Sequence, residues 1–443
     1  MITNRASAID VMELASASTP AASQVGAVLM IAPVGELELD TVRAVVAERI
    51  AGIARLRQRL QGVPLGCGRP IWVDDPSFDI ANHVSETVCP APGDRDAIFS
   101  VVAEVVSRPL SRERPMWSAT LITGLNEDAV ALVLMFHHVM ADGLGGLAVL
   151  ADLVDGAPPR PVPASLRSAP GTRALLGDAI RARARAVAHI GGGVRRLFGA
   201  ATELGTGSRT RLAPRCSLNG PVGPDRCLSV ARTNLYSLHA AARRHGATVN
   251  DAAVTAITAA LGRYLRERDE NVDHLVLSIP VSGRTAATAR RLGNQVGVML
   301  VDVSVGTGTP GERVESVAAA TGDRKHGASG APAALLAPAF RVLAALRLLD
   351  WLTRHQRLVT TFVTNLRGPE QHVALLGSTV TEIIPVNAVS GNVRVAFGVF
   401  SYAGALNVTV VADSGFADDL ANLVVLLETE LDGISALTDG CED

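Results

Sequence analysis

A break in composition near residue 156 constrains the fold of this chain more than any other feature. Gly156–Pro170 holds five prolines. Proline fixes φ and removes a backbone donor, so no long regular element runs through this stretch. On either side, strand-like and helix-like patterns alternate. Before the break, Val25–Ile31, Trp117–Ile122 and Val130–His137 have the apolar character of strands. Asp40–Leu60, Ala97–Val106 and Gly143–Leu153 carry apolar residues at helical spacing, with Asp40 the expected N-cap of the first. After it, Leu235–His245, Val249–Arg268 and Asp418–Leu431 read as helices. Leu275–Val281, Val296–Val305, Val359–Val363, Thr379–Ile384, Val393–Tyr402 and Ala405–Ala412 read as strands. The pattern predicts an α/β (α+β) chain in two similar halves, 1–155 and 216–443. Between them, 156–215 is a crossover linker containing a basic helix that starts at Arg173.

Charge and oil narrow the function classes. The chain has 443 residues, with 41 basic and 43 acidic side chains and a formal charge of −2. No basic excess marks it as a nucleic-acid binder. Hydrophobic residues make up 48% and charged residues 19%, below the usual ~25% charged. Yet no run approaches the ~20 apolar residues of a spanning helix. Asp10 and Glu13 stand where a signal peptide would be basic and then apolar. Cys67, Cys89, Cys216, Cys227 and Cys441 are widely spaced, with no C-x-x-C pair. A reduced, cytoplasmic protein without a disulfide framework or zinc site is the expectation. Two segments invite a lipid reading. The basic helix after Arg173 is a solvated face or an attraction to anionic lipid or CoA phosphates. The long apolar stretch Ala331–Leu358, with Arg341, Arg347, Arg354 and Arg357, is a core helix or an interfacial one.

The chemistry concentrates at His137-His138-Val139-Met140-Ala141-Asp142-Gly143, between a buried-type strand and a glycine-rich helix start. Chance gives this spacing on the order of 10⁻³ times per chain. An imidazole accepts a proton near neutral pH. Adjacent residues on extended backbone face opposite sides, so one histidine serves a site as base and the other packs. The same geometry argues against His137, His138 and Asp142 converging on a metal.

The motif resembles the H-H-x-x-x-D-G signature of the chloramphenicol-acetyltransferase-like superfamily. The whole chain is most similar to its bacterial wax ester synthase/diacylglycerol acyltransferases. Arg114-Pro115-Met116-Trp117 resembles the family's P-L-W segment, and Val249-Asn250-Asp251 its N-D motif. Pro280-Val281-Ser282-Gly283-Arg284 with Leu292-Gly293-Asn294-Gln295 resembles P-V-S-x-R…G-N. Thr364-Asn365-Leu366-Arg367-Gly368-Pro369 resembles the S-N-x-x-G-P turn.

The resemblance implies two chloramphenicol-acetyltransferase-like domains, mixed sheets flanked by helices, and a tunnel at the domain interface. It implies a catalytic set of His137, His138, Asp142 and Gly143, with His138 the general base and Asp142 pairing with Arg284 to support the loop. It places Asn250 and Asp251 at the acceptor. The bland reading of Asn250 is a helix N-cap. Thr364 and Asn365 are candidate oxyanion donors, against a turn-forming role for the asparagine. The implied reaction passes a long-chain acyl group from acyl-CoA, a substrate, to diacylglycerol or a fatty alcohol. It uses no cofactor, no metal and no acyl-enzyme; no G-x-S-x-G elbow is present. The implied partners are these substrates, with peripheral contact at a membrane or lipid droplet. The alternatives are a carrier-protein-dependent acyltransferase of polyketide or peptide products, and a catalytically weak lipid-binding homologue. One departure bears on the acceptor side. Ser23-Gln24-Val25-Gly26 stands where the family has M-H-V-G, and an acidic residue often found just before is missing from Ser16–Ala22.

Overall fold

A computed structural model describes residues 4–7, 10–11, 13–14, 23–32, 37–162, 169–188, 211–282, 296–306, 308–327 and 348–438. The first half runs β1 (Gln24–Ile31), α1 (Leu39–Ile50), β2 (Gln58–Gln61), β3 (Ile71–Asp74), β4 (Val84–Val88), α2 (Arg95–Ser107), β5 (Trp117–Thr123), β6 (Val130–His137) and α3 (Gly143–Leu153). The linker contributes α4 (Thr172–Ala188). The second half runs β7 (Arg226–Asn234), α5 (Leu235–Arg244), α6 (Val249–Arg266), β8 (His274–Ser282), β9 (Val296–Ser304), α7 (Pro310–Gly327) and α8 (Leu348–Arg354). It closes with β10 (Thr361–Arg367), β11 (Ala374–Leu375), β12 (Ser378–Val386), β13 (Val395–Tyr402), β14 (Ala405–Asp413) and α9 (Ala417–Ser435).

Among the described residues the strands form two six-stranded sheets and one hairpin of β2 and β3. The second sheet has the order β7-β14-β13-β10-β8-β9, with β10 parallel to both β13 and β8. The first has the order β11-β12-β1-β6-β5-β4. Its β12 comes from the second half of the chain and pairs antiparallel with β1, Gly26 opposite Val386. The division at 156–215 therefore separates the halves in sequence but not in the sheets.

Three apolar clusters fill these layers. One lies inside the second lobe around α6, whose residues from Asp251 to Leu265 are buried except Arg263. One lies in the first lobe between α1 and the sheet, and takes Phe400 and Tyr402 from the second-lobe strand β13. The third joins the lobes, with Val28, Ile98 and Val102 packed with Leu228, Val230 and Val411. Burying apolar surface from both lobes in one cluster holds them as a unit.

Several sequence expectations shift. The helix read over Asp40–Leu60 ends at Ile50, and its N-cap is Glu38, not Asp40. Ile53 and Leu56 keep the apolar spacing, but Gly52 lies so close to Arg160 that a Cβ there would clash with Arg160 Cβ and its carbonyl, and the chain turns there. The strand expected at Val359–Val363 is β10, which runs on to Arg367, so Thr364 and Asn365 lie in a ladder with β13 and not in a turn. Strands β4 and β7 and helix α7 were not expected. Of Ala331–Leu358, only the part from Leu348 lies within the described residues. Among those residues, no helix is long and apolar enough to cross a membrane.

Candidate active site

Strand β6 is buried along nearly its whole length between β1 and β5. Its ladder ends at the histidines. The His137 amide donates to Met116 O at 2.9 Å, and the His138 amide to Ser23 O at 2.8 Å. A turn follows, closed by Met140 N donating to His137 O at 2.8 Å. Asp142 then N-caps α3, its Oδ1 accepting from Gly145 N at 2.8 Å. Only 1% of Asp142 is exposed, so this carboxylate holds the helix that begins with the next residue. Arg284, its expected partner, and the Leu292–Gln295 segment lie outside the described residues.

The two histidines differ sharply. His137 is 2% exposed. Its Nδ1 accepts the Val139 amide at 3.3 Å, and its Nε2 is buried with no hydrogen-bond partner among the described residues. An imidazole accepting at Nδ1 carries its proton at Nε2 when neutral. Burial, then the charges of Arg112 and His138, push its pKa down to about 4. His137 is therefore neutral at physiological pH and a poor base. His138 is half-buried.

Gln24 explains which way His137 faces. It sits directly opposite His137 in the β1–β6 ladder, and directly opposed residues share a sheet face. Its amide is built into the fold: Nε2 donates to Val106 O at 2.9 Å and Arg108 O at 3.0 Å, and Oε1 accepts from Leu110 N at 2.7 Å. The departure at Gln24 thus falls on the sealed His137 side, tying down the end of α2. The Ser16–Ala22 segment lies outside the described residues.

The second lobe meets this motif through β10. A Cβ on Gly143 would lie 3.1 Å from Leu366 Cδ1, so glycine lets α3 start against that strand. Next along β10, Asn365 Nδ2 donates to Asn250 Oδ1 at 3.2 Å. Asn387 Nδ2 donates to Thr364 Oγ1 at 2.8 Å and to Phe397 O at 2.6 Å. Asn250 is not the cap of α6. Thr248 is, in a reciprocal capping box with Asp251. Asp251 is 3% exposed. Its Oδ2 accepts from Thr248 N at 2.9 Å and Thr248 Oγ1 at 2.7 Å, and its Oδ1 from Thr321 Oγ1 at 2.7 Å. Of the expected acceptor pair, Asn250 therefore reaches β10, whereas Asp251 is turned into the scaffold. Thr248 was legible as the residue three before an acid at a helix start. Thr321 and Asn387 carry no such signal.

No group of three or more His, Cys, Asp or Glu placed to hold a metal ion occurs among the described residues. The arrangement is a histidine motif at the end of a central strand, seated against an asparagine-bearing strand of a second sheet.

A first sheet completed by strands of the second half, with this motif seated against the second sheet, defines a chloramphenicol-acetyltransferase-like acyltransferase fold. The solved structures agree. The wax ester synthase/diacylglycerol acyltransferase from Marinobacter aquaeolei VT8 superposes with a TM-score of 0.70 at 22% identity, covering 99% of this chain and 100% of that one. The starter condensation domain of rhizomide synthetase, in a structure with C8-CoA, gives 0.62 at 15% identity, covering 99% and 97%. In sequence, residues 7–253 match the wax ester synthase/diacylglycerol acyltransferase catalytic domain and 292–435 the WS/DGAT C-terminal domain. A putative diacylglycerol O-acyltransferase of Mycobacterium bovis is 31% identical over 412 residues, covering 89% of this chain and 87% of that protein. The chain belongs to the wax ester synthase/diacylglycerol acyltransferase family and is an acyltransferase.

Proposed function

We propose that the protein transfers a long-chain acyl group from acyl-CoA to a lipid alcohol, diacylglycerol or a fatty alcohol, with His138 as general base. The observation that carries this reading is the seating of the His138 loop against β10, where Gly143 meets Leu366 and Asn365 bonds Asn250. The names of the relatives supply the substrate class.

In the proposed reaction, His138 takes the proton of the alcohol hydroxyl as its oxygen attacks the thioester carbonyl carbon. The carbonyl oxygen becomes an oxyanion. An amide nitrogen has two N–H donors, and Asn365 gives one of them to Asn250. The second is the proposed oxyanion donor, a preorganised contact of the kind worth several kcal/mol. The C–S bond then breaks, and the CoA thiolate takes the proton back from the imidazolium. The acyl group passes directly, without an acyl-enzyme, and no resident cofactor takes part. The acyl chain lies in a tunnel between the sheets. His137 stays neutral behind the reacting residues, Asp142 and Gly143 fix the loop, and Arg284 supports it.

CoA release from palmitoyl-CoA against a panel of diacylglycerol, fatty alcohols and smaller alcohols tests the reading, with an acyl-carrier thioester as the competing donor. Turnover with palmitoyl-CoA and a lipid alcohol, abolished in His138→Ala, is expected. Turnover only from the carrier thioester, or a folded His138→Ala that keeps its rate, overturns it.

A further inference from the structure

We propose that α4, with the tip of the β2–β3 hairpin beside it, docks the protein on an anionic lipid surface. The first observation is charge segregation. Residues 156–215 hold eleven arginines and two acidic residues, in a chain whose total charge is −2. One of the two acids, Asp178, is used internally, its Oδ2 accepting from Arg5 Nε at 2.7 Å. Arg5 also donates to Leu175 O at 3.1 Å and Arg69 O at 2.8 Å. These bonds pin α4 to the body of the first lobe.

The second observation is what the pinned helix shows. Its inner face is Leu175, packed with Cys67, Ile71 and Val73, and Ala179, buried beside Gly68. Arg173, Leu176, Ile180 and Arg183 follow at spacings of three, four and three, which on a helix form one continuous stripe. All four are exposed, Leu176 by 43% and Ile180 by 55%, and Arg181 and Arg185 are exposed as well. On the loop joining β2 to β3, Leu65 projects entirely into solvent. A single exposed leucine needs no explanation. An apolar stripe bounded by arginines on a cationic helix has the form of an interfacial element, with leucine for the acyl boundary and arginine for the headgroups. An acidic protein surface satisfies the arginines but leaves the apolar stripe unexplained, which favours lipid. None of these residues belongs to the proposed catalytic machinery, so the inference stands apart from the assignment of His138.

The test is co-sedimentation of the full-length protein with vesicles of phosphatidylcholine alone or with roughly one-third phosphatidylglycerol, at low and high salt. Binding to the anionic vesicles, weakened by salt, is expected. Arg173→Glu/Arg181→Glu/Arg183→Glu should lose at least about a hundredfold in vesicle affinity, because each arginine near an anionic surface contributes about fivefold. Leu176→Ser/Ile180→Ser should lose about tenfold while keeping the salt dependence. Thermal melts of both variants should match the parent, since the changed side chains are exposed. Absence of binding to anionic vesicles, equal binding to neutral ones, or unchanged binding of the charge-reversed variant overturns the proposal. An acidic protein as the true partner would leave the vesicles unbound and so counts against it too.

Discussion

His137–His138 in the first lobe and Asn250–Asp251 in the second are built on one plan. Each is a pair of adjacent polar residues close to the junction of the two sheets, and in each pair the fold takes one member. Asp251 is held by three donors, while Asn250 is left to bond β10. Among the described residues, His137 is enclosed with one weak acceptor contact and no partner for Nε2, while His138 stays half-buried. The means of enclosure differ. Asp251 is secured by hydrogen bonds that suit its charged form. His137 is secured by packing that tolerates only its neutral form, and the penalty falls on the first lobe when the medium turns acid.

Four experiments test this contrast. The largest effect belongs to the half-buried histidine: His138→Ala should cut kcat by about 10²–10⁴-fold with its melting temperature nearly unchanged. The enclosed histidine should act on stability. Its folded pKa of about 4 lies below the ordinary 6.5, so between those values the unfolded chain binds more protons. Stability is then full above pH 6.5 and falls as pH drops towards 4, by on the order of 3 kcal/mol. Denaturant titrations at pH 7 and pH 4.5 should show this slope shrinking in His137→Gln. An equal slope in both proteins removes the argument from burial.

Asp251→Ala removes the carboxylate half of the capping box and takes away the side-chain acceptor of the Thr248 amide, and should cost about 2 kcal/mol of unfolding free energy. Its kcat per folded molecule should stay within about fivefold of the parent, because no step of the proposed chemistry uses this carboxylate. A large rate loss at full stability would return Asp251 to the substrate side. The smallest effect is expected at Asn250→Ala, about tenfold in kcat through a misdirected Asn365 amide. The double variant with Asn365→Ala should be clearly less than additive, and additive losses would separate the two residues.

The comparison also marks what could be read from residues alone. Strand β6 and helix α3 were legible because seven consecutive apolar residues, Val130–Phe136, run into a motif and an Asp-Gly helix start. The difference in burial between His137 and His138 was legible from backbone alternation, though which of them was enclosed was not. Asn250 looked like a cap because asparagine caps helices, but Thr248 competes for the same role two residues earlier and wins. Strand β4 reads Val-Ser-Glu-Thr-Val and β7 starts with Arg226 and ends with Asn234, so neither shows an apolar run. The identity of the neighbour strand was out of reach. The apolar pattern of Thr379–Ile384 announces a strand, but only tertiary packing assigns it to the first sheet.

That assignment has a consequence for biosynthesis. Residue 26 has to wait for residue 386 before the β1 edge is covered. At roughly 5–20 residues per second, that interval on the ribosome is about 20–70 s. Throughout it, one side of a strongly apolar strand stands as an open template for another chain. A fragment stopping at the end of the matched catalytic segment, residue 253, keeps that edge open permanently. Such a fragment should aggregate on expression, and co-expressing the remainder of the chain should rescue it.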